Sequence, residues 1–331
     1  MGPRLERVVA WLEALHHFDP APRCPHLSAQ GARAAWEAAL ASLTPEALTR
    51  AVTRPGEPYD RAVMVVARTV FTAPLEWAAV LLARGTELTL KPSSADAGFA
   101  EELVQMAQAQ GLPLFATSDR DIVGQLPLVV VMGTDETVDQ VRAAAAPDAR
   151  VLGFGHRFGA AYLTTAEGFA AIGPDLALHD GLGCMSPAMV FTDWPEDEAT
   201  AALAQSWRAI DAQWPSGPID PIAGAQIRQR EALARVLGQV SKDRGWSVHA
   251  LPRDRFAPGA LPRSVVVHAM SHREHVETVF RDHEKQLSTV GTDDPHLSVP
   301  DSARVCRPGE MQRPPLVRFH DGVDWLGATL R

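Results

Sequence analysis

The chain has 331 residues, 46% hydrophobic and 21% charged, a balance that suits a globular protein with two domain-sized cores and excludes a disordered chain. Its formal net charge of −9 leaves no basic surplus for holding nucleic acid or an anionic membrane surface. Three scattered cysteines without a CxxC pair argue against a zinc site or disulfide framework and for a reducing cytoplasm, and no apolar run approaches the roughly 18 residues of a membrane span.

Residues 1–60 read as helices. Leu5, Val8, Val9, Leu12 and Leu15 recur at helical spacing with Glu6 and Glu13 among them, an amphipathic helix rather than a signal peptide. A second helix is predicted over 32–43, with Trp36 and Leu40 on one face, and a short third one before Pro55. The rhythm then changes to strand, helix, strand. An apolar strand is expected at 63–66, and Thr72 is placed to cap a helix that begins at Pro74 and is ended by Gly85. The next strand covers 87–90; Phe99, Leu103, Met106 and Ala107 mark a helix closed by Gly111 and Pro113. LPLVVVM at 126–132 is continuously apolar, as in a strand buried on both faces of a parallel sheet, and a helix follows over 137–146.

Strands alternating with helices of this length imply a doubly wound α/β domain. A second stretch begins near Val151, includes FGHRFGAAYL, and continues with helices over 197–210 and 222–240 and a strand at 264–268. The Pro- and Gly-rich residues 293–322 read as extended chain and turns. The predicted organisation is two α/β units with a cleft between them: a cofactor-binding domain with its helical N-terminal segment at 1–150, a cysteine-bearing domain at 151–304, and an extended C-terminal segment at 305–331.

The candidate nucleophile is Cys184, in the run HDGLGCMSPAMVF. A thiol reacts as the thiolate, and an unperturbed pKa of about 8.5 leaves only a few per cent ionised at neutral pH. A catalytic cysteine therefore needs a site that lowers its pKa and leaves room for a carbonyl. Gly181 and Gly183 provide room, because glycine lets the backbone bend sharply beside a substrate. The competing reading is a small buried hydrophobe in a tight turn. His272, His275 and His283 share a predicted helix with Val276, Val279, Phe280 and Leu287, but no carboxylate–His set of defined metal spacing accompanies them, so no metal is expected. The glycines at 153, 155 and 159 do not follow the GxGxxG spacing.

Three segments, in order, resemble the aldehyde dehydrogenase superfamily. AAVLLARGTELTLKPSS keeps that superfamily's helix, Gly, buried strand and Lys-Pro-Ser, with Lys91 six residues after Gly85. A lysine at the C-terminal end of a parallel strand points into the crevice where such sheets bind dinucleotides, although an exposed lysine before a proline turn would look the same. LVVVMGTDETVDQV is similar to the superfamily's Gly-Ser-x-Glu turn, with Gly133 and Thr134 at the matching positions, where a helix N-terminus holds the cofactor pyrophosphate; an ordinary N-cap threonine is the alternative. The Cys184 segment, with Met-Ser-Pro after the cysteine and Asp-Gly before it, narrows the resemblance to bacterial acyl-CoA reductases of the LuxC type. The closing VCRPGEMQRPPLVRFHDG agrees.

The resemblance, over roughly residues 62–331, implies two Rossmann-like doubly wound domains of aldehyde dehydrogenase type, with a shortened helical N-terminus of about sixty residues before the first matching strand. It implies NADPH-dependent reduction of an acyl-CoA, or another acyl thioester, to an aldehyde, with Cys184 as nucleophile. Lys91, Ser93, Ser94, Gly133 and Thr134 would line the cofactor site. Ser94 stands where NAD-preferring relatives carry an acidic residue, and a hydroxyl beside Lys91 tolerates a 2′-phosphate. The general-base glutamate of hydrolytic relatives is absent between Asp148 and Glu167, which fits a reductase, and His156 is the candidate for managing protons in its place. RTVFTAP, ahead of the first helix of the resemblance, lacks the oxyanion-donating asparagine; Thr69 and Thr72 are possible substitutes. Two other outcomes are open: a catalytically degraded scaffold that binds an acyl group or serves as a biosynthetic partner subunit, and an acyl-phosphate reductase similar to γ-glutamyl phosphate reductase. Relatives are usually oligomers, which leaves a homo-oligomer open without the sequence fixing the oligomeric state.

Overall fold

The computed structural model describes residues 2–66, 70–93, 97–252 and 260–331. They form two compact units, the first from residues 1–24, 36–156 and 313–331, the second from 25–35 and 157–312.

In the first unit, helix α1 (Pro3–His16) buries Leu5, Val8, Trp11, Leu12 and Leu15, the stripe its spacing dictates. Helix α2 (Ala29–Leu40) carries Trp36 into an aromatic group with Phe18, Phe71 and Phe99, while the indole N–H donates to the Leu15 carbonyl at 2.9 Å. Helix α3 (Pro45–Val52), capped by Thr44, precedes strand β1 (Arg61–Val65). There follow α4 (Pro74–Arg84), β2 (Glu87–Lys91), α5 (Ala97–Ala109), β3 (Leu114–Ala116), β4 (Leu128–Met132), α6 (Asp135–Ala144) and β5 (Arg150–Phe154).

The five strands form one parallel sheet in the order β3-β2-β1-β4-β5. The reversal of strand order at β1 and β4, neighbours in the sheet, is the switch point at which doubly wound sheets open a crevice at their carboxyl ends. Val63, Val65, Val129 and Val131 pack on Val123, Leu126 and Val138 across one face. Because β5 pairs with β4 in register Leu128↔Arg150, the first unit runs past residue 150 to His156.

The second unit contains β6 (Phe158–Tyr162), α7 (Ala166–Ala171), α8 (Gly173–Ala177), β7 (Pro187–Phe191), α9 (Glu196–Asp211), α10 (Pro221–Leu237), β8 (Val240–Lys242), β9 (Ser247–Ala250), β10 (Ser264–His268), α11 (Arg273–Asp282), β11 (Leu287–Thr292) and β12 (Arg304–Cys306). Its seven strands run in the order β12-β11-β6-β7-β10-β9-β8. All are parallel except the edge strand β8, which pairs antiparallel with β9. Every residue of β6, β7 and β10 is buried, as befits central parallel strands covered on both faces. One face packs on Leu203, Trp207 and Trp246, the other on Val276, Phe280 and Leu287.

Residues 313–331 return to the first unit and end in α12 (Trp325–Ala328). Trp325 packs against Trp77 of α4 with ring centroids 4.5 Å apart and planes tilted by 49°, and Arg318 makes a two-pronged ion pair with Glu76, each bond 2.7 Å. Burial pushes the Glu76 carboxyl up, but Arg318 and His320 pull it down further, to about 2. Buried Arg84 donates to the carbonyls of Ala51 and Leu326, binding α3, α4 and α12 together.

Several expectations shift. Thr72 does not cap α4; the N-cap residue is Ala73, without a side-chain bond, and Thr72 accepts through its carbonyl from Leu75. Helix α6 starts two residues earlier than expected, at Asp135, because Thr134 caps it. Helix α10 ends at Leu237 rather than at Val240, since Val240 joins the sheet opposite His249. Only His275 of the three late histidines lies within α11: His272 is its N-cap and His283 its C-cap, while Leu287 starts β11.

Candidate active site

Cys184 sits half-buried in a tight turn that precedes β7, closed by the Ser186 N–H donating to the Gly183 carbonyl at 2.9 Å. The approach to that turn is strained. His179, Asp180 and Gly181 all have left-handed backbone, with φ of 53°, 52° and 73°, a region that non-glycine residues enter at a cost of about 1–3 kcal/mol each. Asp180 holds the distortion in place. One carboxylate oxygen accepts from Arg263 Nε at 2.7 Å and the other from the Gly217 N–H at 3.0 Å, while the Asp180 carbonyl accepts from the Arg263 N–H at 2.8 Å. Arg263 is 1% exposed, and its remaining nitrogens reach Asp211 and the carbonyls of Trp214 and Pro215. Its guanidinium lies 5.7 Å from the Trp207 ring centroid.

Beneath the turn runs β6. A Cβ on Gly159 would stand 2.6 Å from the Ser186 carbonyl oxygen and 2.8 Å from that of Met185, so only glycine allows this approach. From the other side comes the segment 309–312. The wholly buried Asp175 of α8 accepts from the N–H groups of Gly309 at 2.6 Å and Met311 at 2.9 Å. Burial pushes the Asp175 carboxyl up to about 7, although these backbone bonds pull the other way. The Gln312 amide then donates to Ser186 Oγ.

The other cysteines are poorer nucleophiles. Cys24 is 1% exposed, and burial pushes the Cys306 thiol up to about 11. His179, five residues before Cys184, is held neutral at pH 7: burial, with His26 nearby, pushes it down to about 4.

The expected cofactor residues lie along the carboxyl ends of the first sheet. Lys91 is the last residue of β2, half-buried and opposite Val65. Ser93 follows it and lines an apolar pocket of about 20 Å³ with Val66, Phe71, Leu90 and Phe99, room for no more than a water molecule. Ser94 and Thr69 lie outside the described residues. Gly133 donates its N–H to the Phe154 carbonyl at 3.1 Å. Thr134 caps α6, accepting from the Thr137 N–H at 3.3 Å. Asp135 turns back to accept from the His156 N–H at 2.8 Å, and a Cβ on Gly155 would collide with it at 2.0 Å. Gly133, Thr134 and His156 thus form one local group around Asp135. The His156 ring is exposed, and its backbone is what Asp135 holds.

A dinucleotide is met unevenly by these residues. Lys91 supplies a cation and Ser93 a hydroxyl at the sheet edge where ribose and phosphate groups bind in doubly wound folds. The positive end of α6, by contrast, already faces Asp135 and Glu136, and a pyrophosphate there shares it with two carboxylates.

Sequence reasoning missed Asp175, Asp180, Ser186, Arg263 and Gln312 as supports of the Cys184 turn. Ser186 had a signal in the Ser-Pro after the cysteine. Gln312 had none, because its partner lies 126 residues away.

The model of the acyl-CoA reductase (LuxC) family matches residues 117–331. No curated protein matches the chain. Among solved structures, the methylmalonate-semialdehyde dehydrogenase of Oceanimonas doudoroffii superposes with a TM-score of 0.73 at 12% identity, over 96% of this chain and 79% of the other. The NAD-dependent benzaldehyde dehydrogenase of Corynebacterium glutamicum gives 0.71 at 14% identity, over 95% and 84%. A succinic semialdehyde dehydrogenase from Streptococcus pyogenes, in complex with NADP+, gives 0.69 at 11%, over 92% and 82%. These likenesses show the fold.

Proposed function

The chain belongs to the acyl-CoA reductase (LuxC) family and is an oxidoreductase acting on acyl or aldehyde substrates, and from that premise we propose that it reduces an acyl thioester to an aldehyde through Cys184. The observation that carries this reading is the Cys184 turn: a half-buried thiol on a strained, heavily braced loop, while Cys24 is buried and desolvation pushes the half-buried Cys306 thiol up.

The thiolate of Cys184 attacks the thioester carbonyl, the C–S bond to coenzyme A breaks, and coenzyme A leaves as its thiolate. A reduced nicotinamide, when bound, would supply the hydride, the two electrons needed to take the acyl-enzyme to the thiohemiacetal. The S–C bond to Cys184 then breaks, releasing the aldehyde and restoring the thiolate. Lys91, Ser93, Ser94 and the Gly133–Thr134 turn would hold the nucleotide, and His156 would manage the proton that the carbonyl oxygen takes up and gives back. The pairing of Lys91 with a hydroxyl at position 94 favours NADPH over NADH; tighter binding of NADH in a fluorescence titration would reverse that assignment.

The deciding experiment is intact mass after mixing with a series of acyl-CoAs, beside a Cys184→Ala control. The expected result is a gain of one acyl group that the variant lacks. Folded wild-type protein that gains no acyl group with any chain length overturns the assignment.

A further inference from the structure

The residues that hold 309–312 against the cysteine turn are far more elaborate than a surface segment needs. Asp175, 0% exposed, fixes the backbone at Gly309 and Met311, with the Gln312 N–H a further 3.4 Å contact. That anchoring delivers the Gln312 side chain, 7% exposed, to a defined place. Its amide Nε2 donates to Ser186 Oγ, and both amide heteroatoms lie 3.5 Å from where a Cβ on Gly183 would be. Gly183 and Ser186 are the two residues whose backbone bond closes the turn around Cys184. One buried amide therefore bonds one end of the nucleophile's turn and lies close to the other.

A buried amide is retained only where its hydrogen bonds are made, since leaving them unmade costs about 1–3 kcal/mol. A serine hydroxyl has one proton and two lone pairs. With a lone pair occupied by Gln312, the rotation of the Ser186 hydroxyl is restricted and its side chain cannot swing away from the turn.

We propose that Gln312 is a positioning residue for Cys184, acting through Ser186 Oγ to fix the 183–186 turn in the shape from which the thiolate meets a carbonyl. This rests on the assignment of Cys184 as nucleophile. It places a side-chain amide beside the reacting cysteine from a distant part of the chain.

The test compares the wild-type chain with Gln312→Ala, Ser186→Ala and the double variant, and adds Gln312→Met as a volume-conserving control in case the alanine variant misfolds. Two rates are read at Cys184: alkylation by iodoacetamide across pH 6–10, which depends on no substrate, and acylation by an acyl-CoA that loads the wild type. Misplacement of a reacting group by about 1 Å can cost about 100-fold. Each single variant is therefore expected to slow acylation 10- to 100-fold and to shift the pH midpoint of alkylation, while thermal unfolding stays near that of the wild type. The double variant is expected to be no slower than the slower single one, because the two residues act as one unit. Multiplying losses in the double variant, or unchanged rates and midpoint in both Gln312 variants, overturn the proposal. If no acyl-CoA loads the wild type yet the alkylation midpoints shift together, the acyl-CoA assignment fails and the positioning role holds.

Discussion

Replacing Arg263 with methionine removes the cation that faces Asp180 while keeping most of the buried stem. Arg263 and Asp180 side chains are 1% and 8% exposed, and their contact is 2.7 Å. Removing one partner of such a pair leaves an uncompensated buried charge and typically costs about 3–5 kcal/mol. The carbonyls of Trp214 and Pro215 lose their donors as well, although Asp180 keeps its bond from Gly217. A loss of about 4 kcal/mol is expected for the second unit, or roughly 8–16 °C in its unfolding temperature at the scaling of a domain of this size. The same substitution releases the left-handed residues before Cys184, so alkylation of that thiol falls even at temperatures where the protein is folded. Urea unfolding followed by tryptophan fluorescence measures the first effect, since the Trp207 and Trp246 rings stack beside this site. The double variant Asp180→Asn, Arg263→Met discriminates the cause. It lacks the orphaned charge and should recover part of the loss. A loss under about 1 kcal/mol in Arg263→Met, or a double variant as unstable as the sum of the singles, refutes the reasoning.

Gly159→Ala forces its Cβ to within 2.6 Å of the Ser186 carbonyl; a loss of about 1–3 kcal/mol and a drop in Cys184 alkylation are expected, read by thermal unfolding and labelling mass. Glu76, held down at about 2 against an ordinary value of 4.5, stabilises the first unit fully above pH 4.5 and loses that contribution as pH falls through 2. The stability deficit of Glu76→Gln should therefore be largest above pH 5 and shrink toward pH 2 in acid unfolding curves. Asp175 has the opposite sign: raised to about 7 from 3.8, it contributes stability fully below pH 3.8 that is lost as pH rises through 7. Stability of the wild type relative to Asp175→Asn should accordingly decline between pH 4 and 7 and then level off, measured by urea unfolding at each pH.

Much of the first unit was legible because its signals are local. Pro74 at the first helical position and Gly85 in left-handed backbone bound α4 where the residues say they should. The apolar run ending at Met132 is a central strand, and Gly85 and Lys91 keep the spacing that put the lysine at a strand end. Cys184 was visible through its glycines and the Ser-Pro turn. What was not legible depends on pairing at a distance. Val240 reads as helix by composition and is a strand only because His249 lies opposite. The Asp-Gly pair marks a turn, but the left-handed backbone that runs from His179 through Asp180 is braced by Arg263, 83 residues away, which no local signal shows. Thr134 read by its own residues as an N-cap, with the phosphate role implied only by the resemblance, and the cap is what its hydroxyl visibly makes.

The return of residues 313–331 to the first unit has a consequence for how the protein is made. Synthesis runs from the amino end, so every residue of the second unit has been added before Arg318, Trp325 and Leu326 exist. Until then Trp77 lacks the Trp325 ring, Glu76 lacks its guanidinium, and Arg84 lacks the Leu326 carbonyl. The nascent first unit emerges with those three groups waiting, and the packing of α4 is completed only by residues 313–331. A chain halted between residues 312 and 318 has every residue of the second unit but lacks these three contacts of the first.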